Sequence, residues 1–285
     1  MRNKKVLITG AGGQLAKQIE LQHHSIKAFD FDFKTKKDLD ITDEKKLQKI
    51  FSQNAYDYCI NTAAYTQVDQ AEIEPEKAYQ INAKAVGSLA KICAENNCTL
   101  IHISTDYVFD GKKSLPYTET DQTHPINVYG ETKRAGELEL MKFTEKYYII
   151  RTSWLYSGSG NDFYSKILAL SKERKVLEVV NDQTGTPTSA QSLAQFLFFL
   201  LTNEPKQYGI YHFSNEGKAT WYDFAKKILA LNRINTRIIP VSSDRFKTLA
   251  QRPTFSVLDK SKIKEIFNFV PENWEKALEL IIKNQ

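Results

Sequence analysis

Cysteine is scarce. Cys59, Cys93 and Cys98 are the full set in 285 residues, with no Cys-x-x-Cys pair and no zinc-type spacing. A disulfide framework is thereby excluded, and a reducing compartment becomes the default. Long apolar runs are missing as well. None approaches the ~18 residues that a membrane helix needs, and the nearest, LAQFLFFLLT at 193–202, reads as a buried amphipathic helix. The opening MRNKKVLITG is positively charged, but its apolar run is too short for a secretory signal, so a cytoplasmic protein is expected. Nor does charge of one sign dominate. The formal net charge is +5, the lysines spread along predicted helices, and the one tight group is KTKK at 34–37. Without a basic stripe or a recognition motif, neither nucleic acid nor membrane is expected as a partner.

What is present suits a globular chain. With 41% apolar and 26% charged residues, the sequence can bury a substantial core in one large or two smaller domains. Strand-like runs at KKVLITG (4–10), IKAFDFD (26–32), YDYCINTAA (56–64), TLIHIST (99–105) and YYIIRTSW (147–154) alternate with helical stretches. The clearest helix spans 75–97, where Ala78, Ile81, Ala85, Leu89 and Ile92 recur at spacings of three and four. This alternation predicts an α/β protein with a Rossmann-like, doubly wound parallel sheet. The second half mixes helices with short strands. A dinucleotide-binding domain over 1–153 and a smaller α/β substrate lobe over 154–285 are expected, with room for elements of the lobe to return to the main sheet.

The first run ends in TGAGGQLA (9–16). Gly10 permits a tight turn, Gly13 lets backbone N–H groups approach a pyrophosphate, and Gln14 and Leu15 open a helix whose Ala16 packs closely. Asp30, twenty residues after Gly10, is expected to end the second strand and accept the adenosine ribose hydroxyls. Asp40 and Ile41 of DLDIT suit an adenine edge. The small residues of NTAAYT, notably Ala63 and Ala64 before Tyr65 and Thr66, let backbone pass close to a dinucleotide. The carboxylate of Asp30 favours NADH, whereas Lys34, Lys36 and Lys37 offer a dock for the 2′-phosphate of NADPH. Tolerance of NADPH with dual use is expected, and the choice stays open.

The fourth run places Ser104, Thr105 and Asp106 at its carboxyl end, and NVYGETKRAGE (127–137) follows. On a helix Tyr129 and Lys133 share a face. A neighbouring ammonium is expected to lower the phenol from its usual pKa of ~10, making Tyr129 a proton exchanger for a carbonyl or hydroxyl oxygen while hydride moves to or from carbon. Thr105 is placed to bond the same oxygen.

These stretches, together with INTAAYTQVDQAE, ISTDYVFDG, RTSWLY, VVNDQTGTPT, YHFSN and RPTFSVLD, resemble the extended short-chain dehydrogenase/reductase superfamily and, within it, the RmlD-type dTDP-4-dehydrorhamnose reductases. The resemblance spans nearly the whole chain. It implies reduction of the C4 ketone of a dTDP-linked 6-deoxyhexulose toward dTDP-L-rhamnose for surface polysaccharide. Tyr129 is then the proton donor, Lys133 the ribose binder, and Thr105 the holder of the C4 oxygen. Thr105, Asp106, Trp154, Asn161 and Phe163 would meet the sugar nucleotide, with 181–188 and Arg252 as further walls.

Some members of that family hold a divalent ion between subunits through glutamates. Gln18 and Gln191 stand at the matching positions, so no metal is expected, and the chain is expected to be a monomer or weak homodimer. Two rivals remain: a reductase making another sugar such as dTDP-6-deoxy-L-talose, and a non-catalytic dinucleotide binder like the regulatory subunit of methionine adenosyltransferase. The intact Thr105, Tyr129 and Lys133 favour an enzyme.

Overall fold

Val6, Leu7 and Ile8 are all fully buried. A strand covered on both faces is what a parallel sheet between two helix layers requires. The computed structural model describes residues 2–158 and 160–283. In chain order the first part runs β1 (Lys4–Thr9), α1 (Gln14–Gln22), β2 (Phe29–Lys34), α2 (Glu44–Gln53), β3 (Tyr58–Asn61), α3 (Val68–Ile73) and α4 (Pro75–Tyr79). A π-helical turn (Gln80–Lys84), α5 (Ala85–Glu95), β4 (Thr99–Thr105), α6 (Val128–Met141) and β5 (Tyr147–Thr152) follow. Beyond them come β6 (Leu155–Tyr156), α7 (Phe163–Glu173), β7 (Val176–Val180), β8 (Thr184–Gly185), β9 (Thr188–Ser189), α8 (Ala190–Asn203) and β10 (Gly209–His212). The chain closes with β11 (Ala219–Thr220), α9 (Trp221–Leu231), β12 (Arg237–Val241), α10 (Ser261–Phe267) and α11 (Trp274–Lys283).

The main sheet has the order β10-β5-β4-β3-β1-β2, every pair parallel. On one face α1, α8 and α10 cover it through Leu15, Ile19, Leu193, Phe196, Leu200 and Phe267. On the other, α2, α5 and α6 bring Leu47, Phe51, Leu89, Ile92 and Leu140. The expected Rossmann-like sheet is thus present. The run at 193–202 is the buried helix α8, apolar on nearly every side because it lies between the sheet, α1 and α10. β10 is the sixth strand of the main sheet although it lies late in the chain.

The second strand starts and ends later than expected. Phe29, Phe31 and Phe33 pack toward the α1 and α8 face and alternate with Asp30, Asp32 and Lys34. This period of two begins only at residue 29 and fixes the register Lys4↔Phe29 through Thr9↔Lys34.

A second core unites α7, β7, α9 and α11 around Tyr156, Tyr164, Phe224 and Trp274. Helices α7 and α9 start on side-chain caps: Asp162 accepts from the Ser165 amide, and Thr220 and Asp223 form a reciprocal capping box.

Candidate functional site

Strand order reverses between β1 and β3, so the loops after these strands part to opposite faces and leave a crevice at the carboxyl edge. Gly10 stands there at φ 71°, and a Cβ on it would lie 2.7 Å from the Ala63 nitrogen. Only glycine allows these two loops to approach so closely. The Gly13 amide donates to the Gly10 carbonyl at 2.9 Å. Gly13 then caps α1 without a side-chain hydrogen bond, and no acid stands in the first turn. An uncapped helix N-terminus is a ready anion site. Gln14 carries a buried Oε1 that meets no partner, and a Cβ on Gly12 would meet open space. These residues fit a pyrophosphate-bearing dinucleotide. Leu15 belongs to the core, so it can serve such a ligand only through its backbone.

Asp30 must be corrected. It pairs with Lys5 near the amino end of β2 and takes a hydrogen bond from Asn3 at 2.9 Å. Four residues at ~3.3 Å each separate it from Lys34, the strand's last residue, so it does not reach the carboxyl edge. The residue paired with Thr9 beside the glycine turn is Lys34, whose ammonium lies 2.8 Å from Asp32. The Asp40 carboxylate is taken up by the Thr42 amide and hydroxyl, while Ile41 is buried.

After β3, Ala63 sits against Gly10, and the Ala64–Tyr65–Thr66 stretch leads toward α3. Asn82, in the π-helical turn, fixes this loop. Its Oδ1 accepts from the Tyr65 amide at 2.8 Å, and its Nδ2 donates to the Tyr65 carbonyl and to Thr132 of α6. Turns of this kind favour functional positions.

The reactive cluster gathers where β4 ends and α6 begins. Asn127 caps α6 by accepting from Gly130 at 2.8 Å, which sets the phase that turns Tyr129 and Lys133 to one side. The Thr105 hydroxyl lies close enough to the Tyr129 phenol to act on its titration, while itself donating to Asp106 at 3.1 Å and accepting from the Tyr107 amide. The Tyr107 ring stands edge-on to Tyr129, centroids 5.7 Å apart. The expected lowering of the phenol pKa is not found. Burial pushes Tyr129 up to about 12, against a smaller downward pull from Thr105. The physical reason is the direction taken by Lys133. It is 2% exposed, donates to the Ile103 carbonyl at 2.6 Å and lies 3.3 Å from His102 Nε2, and burial presses it down to about 8. The Lys133 nitrogen therefore points at the sheet and not at the phenol.

Asp106 adjoins the pair. Burial lifts its carboxyl to about 7 against smaller downward pulls from Ser256 and from Thr105, which donates to Oδ1 at 3.1 Å, and its Oδ2 meets no partner. Ser104 serves the framework instead. It donates to Glu137, which also holds Arg151 of β5 through two hydrogen bonds. Breaking such a buried pair costs ~3–5 kcal/mol, so α6 is firmly set on the sheet.

Trp154 follows β5 in a left-handed conformation, φ 45°. It lies flat on Trp221, centroids 3.5 Å apart, and Phe163 tilts against Trp221 at 4.6 Å. A Cβ on Gly185 would collide with the Trp154 ring at 2.5 Å. Asn161 is exposed, two residues before Phe163 in the chain. Arg252 forks onto Asp69 through both terminal nitrogens, at 3.1 and 2.6 Å. It thus ties the C-terminal segment to α3.

Sequence reading missed Asn61, Asn82, His102 and Trp221. Each acts through a partner 17 to 67 positions away, as in Tyr65–Asn82 and Trp154–Trp221, and local pattern carries no sign of such contacts. Asn127 alone had a local signal, an Asn just before a helical run. Among the described residues no group of three or more His, Cys, Asp or Glu could hold a metal ion, and no helix is long and apolar enough to cross a membrane.

Comparison with known proteins agrees with this geometry. The family described as RmlD substrate binding domain matches residues 4–285. A dTDP-4-dehydrorhamnose reductase of Aggregatibacter actinomycetemcomitans is 39% identical over 97% of this chain and 98% of its own. The crystal structure of a Clostridium acetobutylicum dTDP-4-dehydrorhamnose reductase superposes with a TM-score of 0.94 at 38% identity, covering 98% and 99% of the two chains. The Bacillus anthracis dTDP-4-dehydrorhamnose reductase in complex with NADP gives 0.96 at 37%, covering 99% and 100%. From the glycine turn to the Thr105–Tyr129–Lys133 cluster and along its whole described length, the chain belongs to the RmlD family of dTDP-4-dehydrorhamnose reductases.

Proposed function

We propose that the chain reduces the C4 ketone of dTDP-4-dehydro-L-rhamnose to dTDP-L-rhamnose with NADPH or NADH, a step that serves surface polysaccharide synthesis. The observation that carries this reading is the gathering of Thr105, at the end of β4, and of Tyr129 and Lys133 of α6 on the carboxyl edge, where Lys133 is linked through His102 and Asn61 to Thr9 before the Gly10 turn. A bound nicotinamide would supply the hydride. The protein supplies the rest. With its pKa near 12 the phenol stays protonated at neutral pH and acts as the acid. Thr105 orients the same substrate oxygen. Asp106, buried and raised to about 7, is half protonated near neutrality and offers the sugar either a donor or an acceptor. Trp154, backed by Trp221, gives an aromatic face suited to a sugar or base.

Lys34 at the end of β2, with Lys36 and Lys37 close behind, supports acceptance of a 2′-phosphate, and Asp30 stands too far away to oppose it. The NADP complex of the Bacillus anthracis relative supports the same preference. As a working assembly we propose a cytoplasmic monomer or weak homodimer, independent of metal; EDTA is then expected to leave turnover unchanged.

Tyr129→Phe tests the acid directly. Turnover should fall by ~10²–10⁴ with cofactor affinity kept, measured by steady-state kinetics and a cofactor titration. Unchanged turnover removes the assignment.

A further inference from the structure

Behind the reactive cluster a line of polar side chains crosses the sheet with no access to solvent. The Thr9 hydroxyl donates to Asn61 Oδ1 at 2.6 Å, Asn61 Nδ2 lies 3.0 Å from His102 Nδ1, and His102 Nε2 lies 3.3 Å from Lys133 Nζ. Thr9, Asn61 and His102 are fully buried and Lys133 is 2% exposed. The direction of this line can be fixed. The Ala63 amide can only donate, and it donates to Asn61 Oδ1 at 3.2 Å. The other amide atom is therefore a donor, and it points at His102 Nδ1. His102 must accept there, so in a neutral ring the proton sits on Nε2, facing Nζ.

Two donors cannot share that contact. An ammonium at Lys133 would aim N–H at N–H, whereas a neutral amine turns its lone pair to Nε2–H and still donates to the Ile103 carbonyl at 2.6 Å. We infer that His102 is a positioning residue that favours Lys133 as a neutral amine in the ligand-free protein at mildly alkaline pH, poised to take up one proton when an anionic dinucleotide arrives. The lone pair that accepted from Nε2–H takes up a proton from solvent, and the resulting ammonium turns away from His102 so that its N–H groups can meet a ribose hydroxyl.

The charges around Lys133 agree. Glu137, one turn along α6, is the charge that pulls Lys133 back upward, and it is already held by Arg151 of β5 and Arg134. Tyr129 lies one turn earlier and is protonated. Asp106 follows β4, and Glu72 of α3 is spent on the Val128 amide. Burial keeps both Lys133 and His102 below their usual values.

The inference rests on the reading of Lys133 as a cofactor contact, but its first test does not. In ¹⁵N-histidine-labelled wild-type protein without ligand, His102 should show a protonated Nε2 and a bare Nδ1, assigned by loss of its signals in His102→Gln. A proton on Nδ1, or an imidazolium at neutral pH, overturns the inference whatever the enzyme's substrate. The second test is calorimetry of NADPH binding in buffers of different ionisation enthalpy. It is run above pH ~8, where a phosphate with pKa₂ near ~6 is fully ionised. The wild type should take up most of one proton, and His102→Gln less than half as much. Equal uptake in the two proteins contradicts the role of His102. Absence of NADPH binding in the wild type, with the Nε2–H tautomer in place, counts against the proposed function and leaves the tautomer standing.

Discussion

At the scale of single residues, burial raises one carboxyl, Asp106, and one phenol, Tyr129, and only the carboxyl is penalised for it near neutral pH. Asp106 titrates near 7 in the folded chain against an ordinary value of 3.8. The unfolded chain loses that proton first, so the penalty grows as pH rises from about 4 to about 7 and is complete above. Asp106→Asn should therefore stabilise the fold at neutral pH by about 1–2 kcal/mol once the unpaired amide is allowed for, seen as a higher melting temperature, and lower turnover. The gain should vanish below pH ~4. Thermal melts at both pH values with one kinetic assay check this, and a neutral or lower melting temperature at pH 7 refutes the burial cost. Tyr129 shows where sequence reasoning was partly right. The i, i+4 spacing correctly puts Tyr129 and Lys133 on one face, but spacing says nothing of where a long side chain ends. Lys133 reaches to Ile103 and His102.

At the scale of elements, the β1–turn–α1 unit was legible because its chemistry is local. A positive φ at Gly10 and a close approach by Ala63 both demand glycine. Gly10→Ala should cost ~1–2 kcal/mol from the left-handed backbone alone. It should also weaken cofactor binding at least about tenfold, because the displaced loop carries the anion-facing amides. Fluorescence titration with NADPH checks it; wild-type affinity would mean that the turn is not the pyrophosphate site. β2 was misplaced for an equally physical reason. IKAFDFD is apolar enough to read as a strand from Ile26, yet the strict alternation that a sheet edge needs begins at Phe29. That shift of two to three residues carries Asp30 away from the cofactor edge and leaves Lys34 there. The π-helical turn and its Asn82 are a further element with no visible period in the sequence.

At the scale of the whole molecule, the alternation of runs predicted the parallel sheet. It could not predict that β10, from residue 209 onward, forms the edge of that sheet or that α8 packs beside α1 on one of its faces. Long-range pairing of this kind is decided by buried area and register, which no local window contains. The Asp69–Arg252 fork spans 183 positions and is partly exposed, so it adds little stability, under ~1 kcal/mol. Asp69→Asn should leave the melting temperature nearly unchanged. If Arg252 walls the substrate site, the loosened fork should raise KM for the sugar nucleotide severalfold while cofactor affinity holds. An unchanged KM would confine Arg252 to a tether.

The most direct test of the whole account follows NADPH absorbance with dTDP-4-dehydro-L-rhamnose generated in situ, and identifies the product by NMR. NADPH oxidation that yields dTDP-L-rhamnose is the predicted result. The 4-epimer as product, or a protein that binds NADPH yet never oxidises it with this substrate, would contradict it.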